Sequence, residues 1–227
     1  MSGTLYIVAT PIGNLDDLTI RAADVLGKVD RIAAEDTRRT GRLLQRIGAS
    51  ARQISYHDHN AERRIPTVLE LLRDGGDVAL VSDAGTPTIS DPGFKLVRAA
   101  AAEGIPVVPI PGASAAMTAL CASGLATDRF HFLGFLPVKK GKATRLLEEV
   151  ADLRATLVLY VSPYKVSSTL ELLHKVLGDR DACLCRELTK IHETFDRRTL
   201  GDLADHYRDR SVKGEVTLVI ARPARAR

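Results

Sequence analysis

Val78-Ala79-Leu80-Val81-Ser82-Asp83-Ala84-Gly85-Thr86-Pro87 passes from four apolar residues directly into six residues of loop type. An apolar, valine-rich run this short reads as a strand buried on both faces, which is the signature of a parallel sheet. The turn residues then continue through Thr88-Ile89-Ser90-Asp91-Pro92-Gly93, more than a simple connection requires. Loops specified so densely usually bind something.

The same pattern recurs on either side. Runs at residues 5–9, 31–34, 53–56 and 106–110 are each followed by a turn and a segment of helical periodicity, making five βα units in the first half. Gly48, Gly75-Gly76 and Gly104 follow apolar helical stretches where a left-handed C-cap is wanted. After Gly124 strand candidates at 130–135, 156–161, 182–188, 192–198 and 216–221 come with fewer helices between them. The closeness of 182–188 and 192–198 suggests a hairpin, and so a mixed sheet. The expected fold is α/β, with an N-terminal domain over 1–124, a C-terminal domain over 125–227 and a cleft between them. Ligands in such folds gather at the carboxyl ends of strands.

Composition excludes several classes. The 227 residues are 45% hydrophobic and 26% charged, which is globular rather than disordered. The sequence opens into an apolar run without a basic leader, and no stretch approaches a membrane span, so the expected location is cytoplasmic with no membrane partner. Cys121, Cys183 and Cys185 have neither an even count nor CxxC spacing, which argues against a disulfide framework or a zinc site; Cys183 and Cys185 read as strand-packing residues. The net charge of +4 is modest, but it gathers at Arg38-Arg39-Arg42-Arg46, at Lys139-Lys140-Lys142-Arg145, at Arg197-Arg198 and at Arg222-Arg225-Arg227. Each cluster could be a solvated face or a contact for a polyanion.

Four further loops could carry chemistry. Thr10-Pro11-Ile12-Gly13-Asn14 follows the first strand, where glycine admits a close ligand; a tight βα turn would look the same. No GxGxxG or GxxxxGK[ST] is present, so dinucleotide and triphosphate loops are poorly supported. Asp83 could accept hydrogen bonds from a ribose or an amino group, while Asp91 is expected to cap a helix starting near Phe94. Ser114, in Pro111-Gly112-Ala113-Ser114-Ala115-Ala116, stands at a helix start among small residues that leave room for a flat ring. Glu35-Asp36-Thr37-Arg38 combines two carboxylates with a cation, or simply caps a helix through Asp36 or Thr37. His57-Asp58-His59-Asn60 offers two imidazoles on one face of a strand end, but no remote third ligand is evident, and no metal is expected.

In their order along the chain these loops, with Arg186-Glu187-Leu188-Thr189-Lys190, resemble the tetrapyrrole methylase superfamily. Glu35-Asp36-Thr37-Arg38 together with Ser82 to Pro87 is similar to the branch that acts on 16S rRNA rather than on porphyrins. The resemblance implies two domains binding S-adenosylmethionine (SAM), with Pro11, Gly13, Asp83, Gly85, Thr86, Ser114, Ala115 and Leu188 as cofactor contacts. It implies a homodimer, and methylation of a cytidine ribose 2'-hydroxyl in 16S rRNA or the assembled small ribosomal subunit.

A ribose hydroxyl is a poor nucleophile, so a base is expected: Glu35 or Asp36 first, Lys190 or Glu187 next. Arg38, Arg39, Arg42, Lys139 and Lys140 would hold RNA. With no Trp and 4% aromatics, backbone and shape contacts are expected to outweigh base stacking. The chain departs from its relatives at Tyr160-Val161-Ser162-Pro163-Tyr164-Lys165, where they read Tyr-Glu-Ser-Pro-His-Arg, and it ends at Arg227, where longer relatives continue into a small helical domain. RNA affinity is expected to differ accordingly. Two other readings were weighed: a corrin or porphyrin-precursor methylase, which would not need the arginines between Thr37 and Arg46, and a nucleotide-binding module without turnover.

Overall fold

The computed structural model describes residues 2–224. Its first sheet is built from β1 (Leu5–Val8), β2 (Arg31–Ala34), β3 (Arg52–Ser55), β4 (Val78–Val81) and β5 (Val107–Ile110). All neighbours are parallel, in the order β3-β2-β4-β1-β5.

Successive side chains of a strand point to opposite faces, and here alternate residues feed two separate cores. Leu5, Ile7, Val78 and Leu80 pack with residues of α3 (Ala61–Arg73) and α4 (Phe94–Ala102). Val8, Ile32, Ala79 and Val81 pack with residues of α1 (Ile20–Lys28) and α2 (Thr37–Arg46) on the other side. Burial on both faces is why β4 is apolar at every position.

The winding reverses between the adjacent strands β1 and β4. From β1 the chain crosses one face through α1 to β2; from β4 it crosses the other face through α4 to β5 on the far side of β1. The carboxyl ends of strands beside such a reversal are where ligands of open α/β sheets gather. The loops at these ends are Thr10 to Asn14 and Ser82 to Gly93.

The second sheet runs β6-β7-β10-β8-β9, from β6 (Phe130–Phe135), β7 (Thr156–Val161), β8 (Asp181–Arg186), β9 (Thr194–Thr199) and β10 (Val216–Ile220). Only β6 and β7 are parallel, so the sheet is mixed. Leu157, Leu159, Leu184 and Leu218 pack against α6 (Lys140–Val150), α7 (Val166–Leu177) and α8 (Leu200–Tyr207). Cys183 and Cys185 alternate with Leu184, are fully buried and lie 3.7 Å apart at sulfur as free thiols.

The chain divides into compact units between Ser114 and Ala115. Helix α5 (Ala115–Ala122) opens the second unit and packs on β7 and β10. The β8/β9 hairpin forms, but β8 stops at Arg186 and β9 starts at Thr194. Glu187 (φ 53°) and Thr189 (φ 66°) have left the extended region, so Leu188 and His192 are loop residues. Among the described residues no helix is long and apolar enough to cross a membrane.

Leu80, 1% exposed at the centre of the first sheet, and Ile20, 90% exposed on α1, give a direct check of this core. Leu80→Ala should lower the unfolding free energy by about 2–5 kcal/mol in urea denaturation, and Ile20→Ala by no more than about 0.5 kcal/mol. Equal effects would contradict the packing described.

Candidate active site

Backbone and hydroxyl bonds draw three strand-end loops together on one edge of the first sheet. Thr10 and Gly85 exchange N–H to carbonyl bonds of 2.9 Å each way, joining the loop after β1 to the loop after β4. The Thr10 hydroxyl donates to the Ser82 carbonyl at 3.2 Å. The Thr86 hydroxyl donates to the Ala113 carbonyl at 3.1 Å, adding the loop after β5. Gly85 adopts φ 84°, a left-handed conformation that glycine reaches without strain, and so permits this crossing. Pro11, Gly13, Asp83, Gly85, Thr86 and Ser114 therefore share one edge of the first unit. Ala115 opens α5, and Leu188 is buried; both belong to the second unit.

Carboxyl groups crowd the same edge. Glu35, at the end of β2, accepts the Asp83 backbone N–H at 3.2 Å through Oε2. Asp83, at the end of β4, accepts the Asp36 N–H at 3.0 Å through Oδ1, and its Oδ2 lies 3.5 Å from the Arg39 guanidinium. Neighbouring strands are thus tied end to end through the carboxyl groups. Burial pushes the Glu35 carboxyl above its usual range; the Asp83 N–H opposes this, and the charges of Asp83 and Asp58 reinforce it. Asp91 is pushed up to about 6, again chiefly by burial, with the Ser82 hydroxyl opposing and Glu35, Asp83 and Asp58 adding to it.

Asp91 does not cap α4 as the sequence suggested. Gly93 occupies the N-cap position, without a side-chain cap bond. The reason lies in the loop backbone, which turns through left-handed residues at Thr88 (φ 76°), Ser90 (φ 62°) and Gly93 (φ 135°) and directs Asp91 toward Glu35, Asp58 and Asp83 instead. Non-glycine residues in this region cost about 1–3 kcal/mol each and cluster at functional loops. A Cβ on Gly93 would come within 2.6 Å of Leu80 Cδ2, so this turn and the core strand beneath it fit only with glycine.

Asp36 and Glu35, adjacent in sequence, have different environments. Asp36 caps α2 by accepting the Arg38 N–H at 2.8 Å, and its carboxyl also pairs with the Arg38 guanidinium at 2.7 Å. Those bonds hold it far below the usual carboxylate range. A group so reluctant to take a proton is a poor base, whereas the desolvated Glu35 is better matched to that task.

The second-unit candidates form a clamp. Glu187 accepts from Lys190 Nζ and from the Glu215 N–H, both at 2.9 Å, and Lys190 also reaches Glu215 at 3.1 Å. Lys190 holds the Glu187 carboxyl down, and the two carboxylates hold the Lys190 ammonium up against the opposing effect of burial. These pairings suit a fastened loop better than proton transfer.

The basic clusters also separate. Arg39 faces Asp83, Arg46 lies 3.6 Å from Asp16, and Arg42 is exposed. Lys139 and Lys140 are exposed at the start of α6. Arg197 is spent on the Ala122 and Ser123 carbonyls at 2.6 and 3.1 Å, closing the end of α5. Arg198 pairs with Asp196 at 2.6 Å. Arg222 meets Asp128 at 3.1 Å, while Arg225 and Arg227 lie outside the described residues. In the histidine loop Asn60 accepts the His57 N–H at 2.9 Å and donates to Ser55 at 3.1 Å, which fastens the turn that presents Asp58. Asp58 and Asp91 are the members of the carboxyl group that sequence reasoning assigned elsewhere.

A protein of Halalkalibacterium halodurans named Ribosomal RNA small subunit methyltransferase I is 50% identical over 218 residues, covering 96% of this chain and 75% of that protein. A protein of the same name from Synechocystis sp. is 51% identical over 220 residues, covering 96% of this chain and 79% of its own length. Among solved structures, uroporphyrin-III C-methyltransferase from Thermus thermophilus, complexed with S-adenosylhomocysteine, superposes with a TM-score of 0.68 at 19% identity over 96% of this chain and 97% of that one. This last likeness concerns the fold alone. The model of the tetrapyrrole (corrin/porphyrin) methylases matches residues 4–204, and the chain belongs to that family.

Proposed function

We propose that the chain transfers a methyl group from SAM to the 2'-hydroxyl of a cytidine ribose in 16S rRNA, either free or within the small ribosomal subunit. The observation that carries this reading is identity of about half, over nearly the whole chain, with proteins named for small-subunit rRNA methylation. The strand-end edge of the first unit fits the cofactor chemically. Its glycine-crossed loops admit a ligand close to the backbone, and its carboxyl groups complement the sulfonium and ammonium charges of SAM. Pro11, Gly13, Asp83, Gly85, Thr86 and Ser114 are the proposed contacts from this edge.

When bound, SAM supplies a methyl group on a sulfonium that departs as a neutral thioether, a reaction that needs no metal. The protein's task is alignment and the handling of one proton. Glu35 is proposed to take the ribose hydroxyl proton, because burial raises its proton affinity while the Asp83 N–H fixes its orientation. Arg39, braced by Asp83, together with Arg38, Arg42, Lys139 and Lys140, would meet RNA phosphates. A homodimer is the proposed assembly and the cytoplasm the proposed location.

Glu35→Gln should lower kcat by about 100-fold or more while the SAM dissociation constant holds, read by methyl transfer and calorimetry. The wild-type rate should fall as pH drops through the raised Glu35 pKa, and the variant should lose that limb; a variant with full kcat removes Glu35 as the base.

Asp91 gives a test of the geometry through stability. Its folded pKa of about 6 lies above the ordinary 3.8, so the native state keeps a proton that the unfolded chain releases. Its contribution is therefore fully present below pH 3.8 and is lost as pH rises through about 6. Asp91→Asn should exceed wild type in stability at pH 7.5, by about 1–2 kcal/mol after solvent screening, and match it near pH 4 in urea unfolding. A variant less stable at pH 7.5 would contradict the desolvated placement.

A further inference from the structure

The loop that begins at Asp83 ends on Phe94, the first residue of α4, and this ring is 63% exposed. An apolar side chain at a helix start ordinarily packs inward, and Leu96 and Ala100 of the same helix do so completely. Phe94 instead stands beside Arg98, one turn on, whose guanidinium carbon lies 5.5 Å from the ring centroid. Ile89, 45% exposed, belongs to the same loop.

The surroundings are cationic. Lys95 and Arg98 are exposed on α4, and Lys95 Nζ reaches Glu62 at 3.2 Å, which sets the first turn of α4 beside the first turn of α3. Arg63 and Arg64 follow Glu62 there. Over the opening turns of the two helices Arg63, Arg64, Lys95 and Arg98 outnumber Glu62, while Asp58 and Asp91 of the carboxyl cluster precede the helices. An exposed aromatic ring with an arginine guanidinium over one face and basic neighbours matches a ligand with a flat face and an anionic backbone. Single-stranded nucleic acid has both.

We propose that Phe94 is a stacking platform for a base of the single-stranded rRNA segment that carries the acceptor ribose, with Arg98 and Lys95 set against the adjoining phosphates. This deepens the proposed rRNA reading and rests on it. One continuous loop links Asp83, which holds the proposed base Glu35, to Phe94, so ring and base stand at the same strand-end edge of the first unit. The low aromatic content of the chain does not weigh against a platform of one residue.

The test uses the full chain, labelled SAM and small subunits lacking the methylation, with KM and kcat read separately for Phe94→Ala, Phe94→Leu and Phe94→Trp. Loss of one stacked base corresponds to a rise of about tenfold in KM for the alanine and leucine variants, while kcat changes by less than about twofold. The tryptophan variant should keep or lower the wild-type KM. SAM affinity by calorimetry and sedimentation coefficients should match wild type throughout. A leucine variant with wild-type KM would reduce the ring to ordinary apolar contact and overturn the proposal. So would a dimer that dissociates when Phe94 is replaced, which would make the ring a contact between copies. Wild-type protein that transfers no methyl to subunits would remove the rRNA reading itself; transfer that is indifferent to Phe94→Ala would remove only the platform.

Discussion

Asp83 fastens together the elements on which the proposed chemistry depends. It stands at the end of β4, beside the point where the parallel sheet reverses its winding, and there its carboxyl group has few choices of partner. One oxygen takes the Asp36 N–H at the mouth of α2, the other faces Arg39 one turn into that helix, and its own backbone N–H holds Glu35. The reversal sets the edge at which ligands of such sheets gather, and Asp83 fixes which side chains line that edge.

A consequence is that like charges are forced into proximity. Glu35, Asp58, Asp83 and Asp91 come from the ends of three different strands, the last two on one loop, and burial together with mutual repulsion raises proton affinity at Glu35 and Asp91. Asp36 shows the opposite case one residue away, ionised firmly by its helix-cap and arginine bonds. Neighbouring carboxyl groups pushed apart in proton affinity are the usual way one site obtains both a base and a fixed charge. The strained turn through Thr88, Ser90 and Gly93 is part of the same arrangement, since it turns Asp91 inward and ends with Phe94 turned outward.

The sheets were legible in the sequence because their signal is local. Val78 to Val81 is apolar throughout, and a four-residue run buried on both faces has little other reading. The β8/β9 hairpin was visible for the same reason, but its ends were not, because the positive φ of Glu187 and Thr189 is imposed by the clamp with Lys190 and Glu215, of which Glu215 lies far along the chain. Asp91 reads as a helix cap in sequence because the left-handed turn through Thr88, Ser90 and Gly93 that moves it off that position leaves no pattern of residue types at Thr88 and Ser90. The packing of α5 is not legible in its own residues, because the strands it covers, β7 and β10, come later in the chain. Identification of the ligand came from the ordered set of loops rather than from the chemistry of any one of them.

The most direct measurement is transfer of label from SAM to small ribosomal subunits lacking this methylation, followed by mapping of the modified nucleotide in 16S rRNA. The account predicts one labelled nucleotide, a cytidine whose methyl group sits on the ribose 2'-oxygen. Label on a base, label confined to a tetrapyrrole precursor, or no incorporation into RNA at all would contradict it.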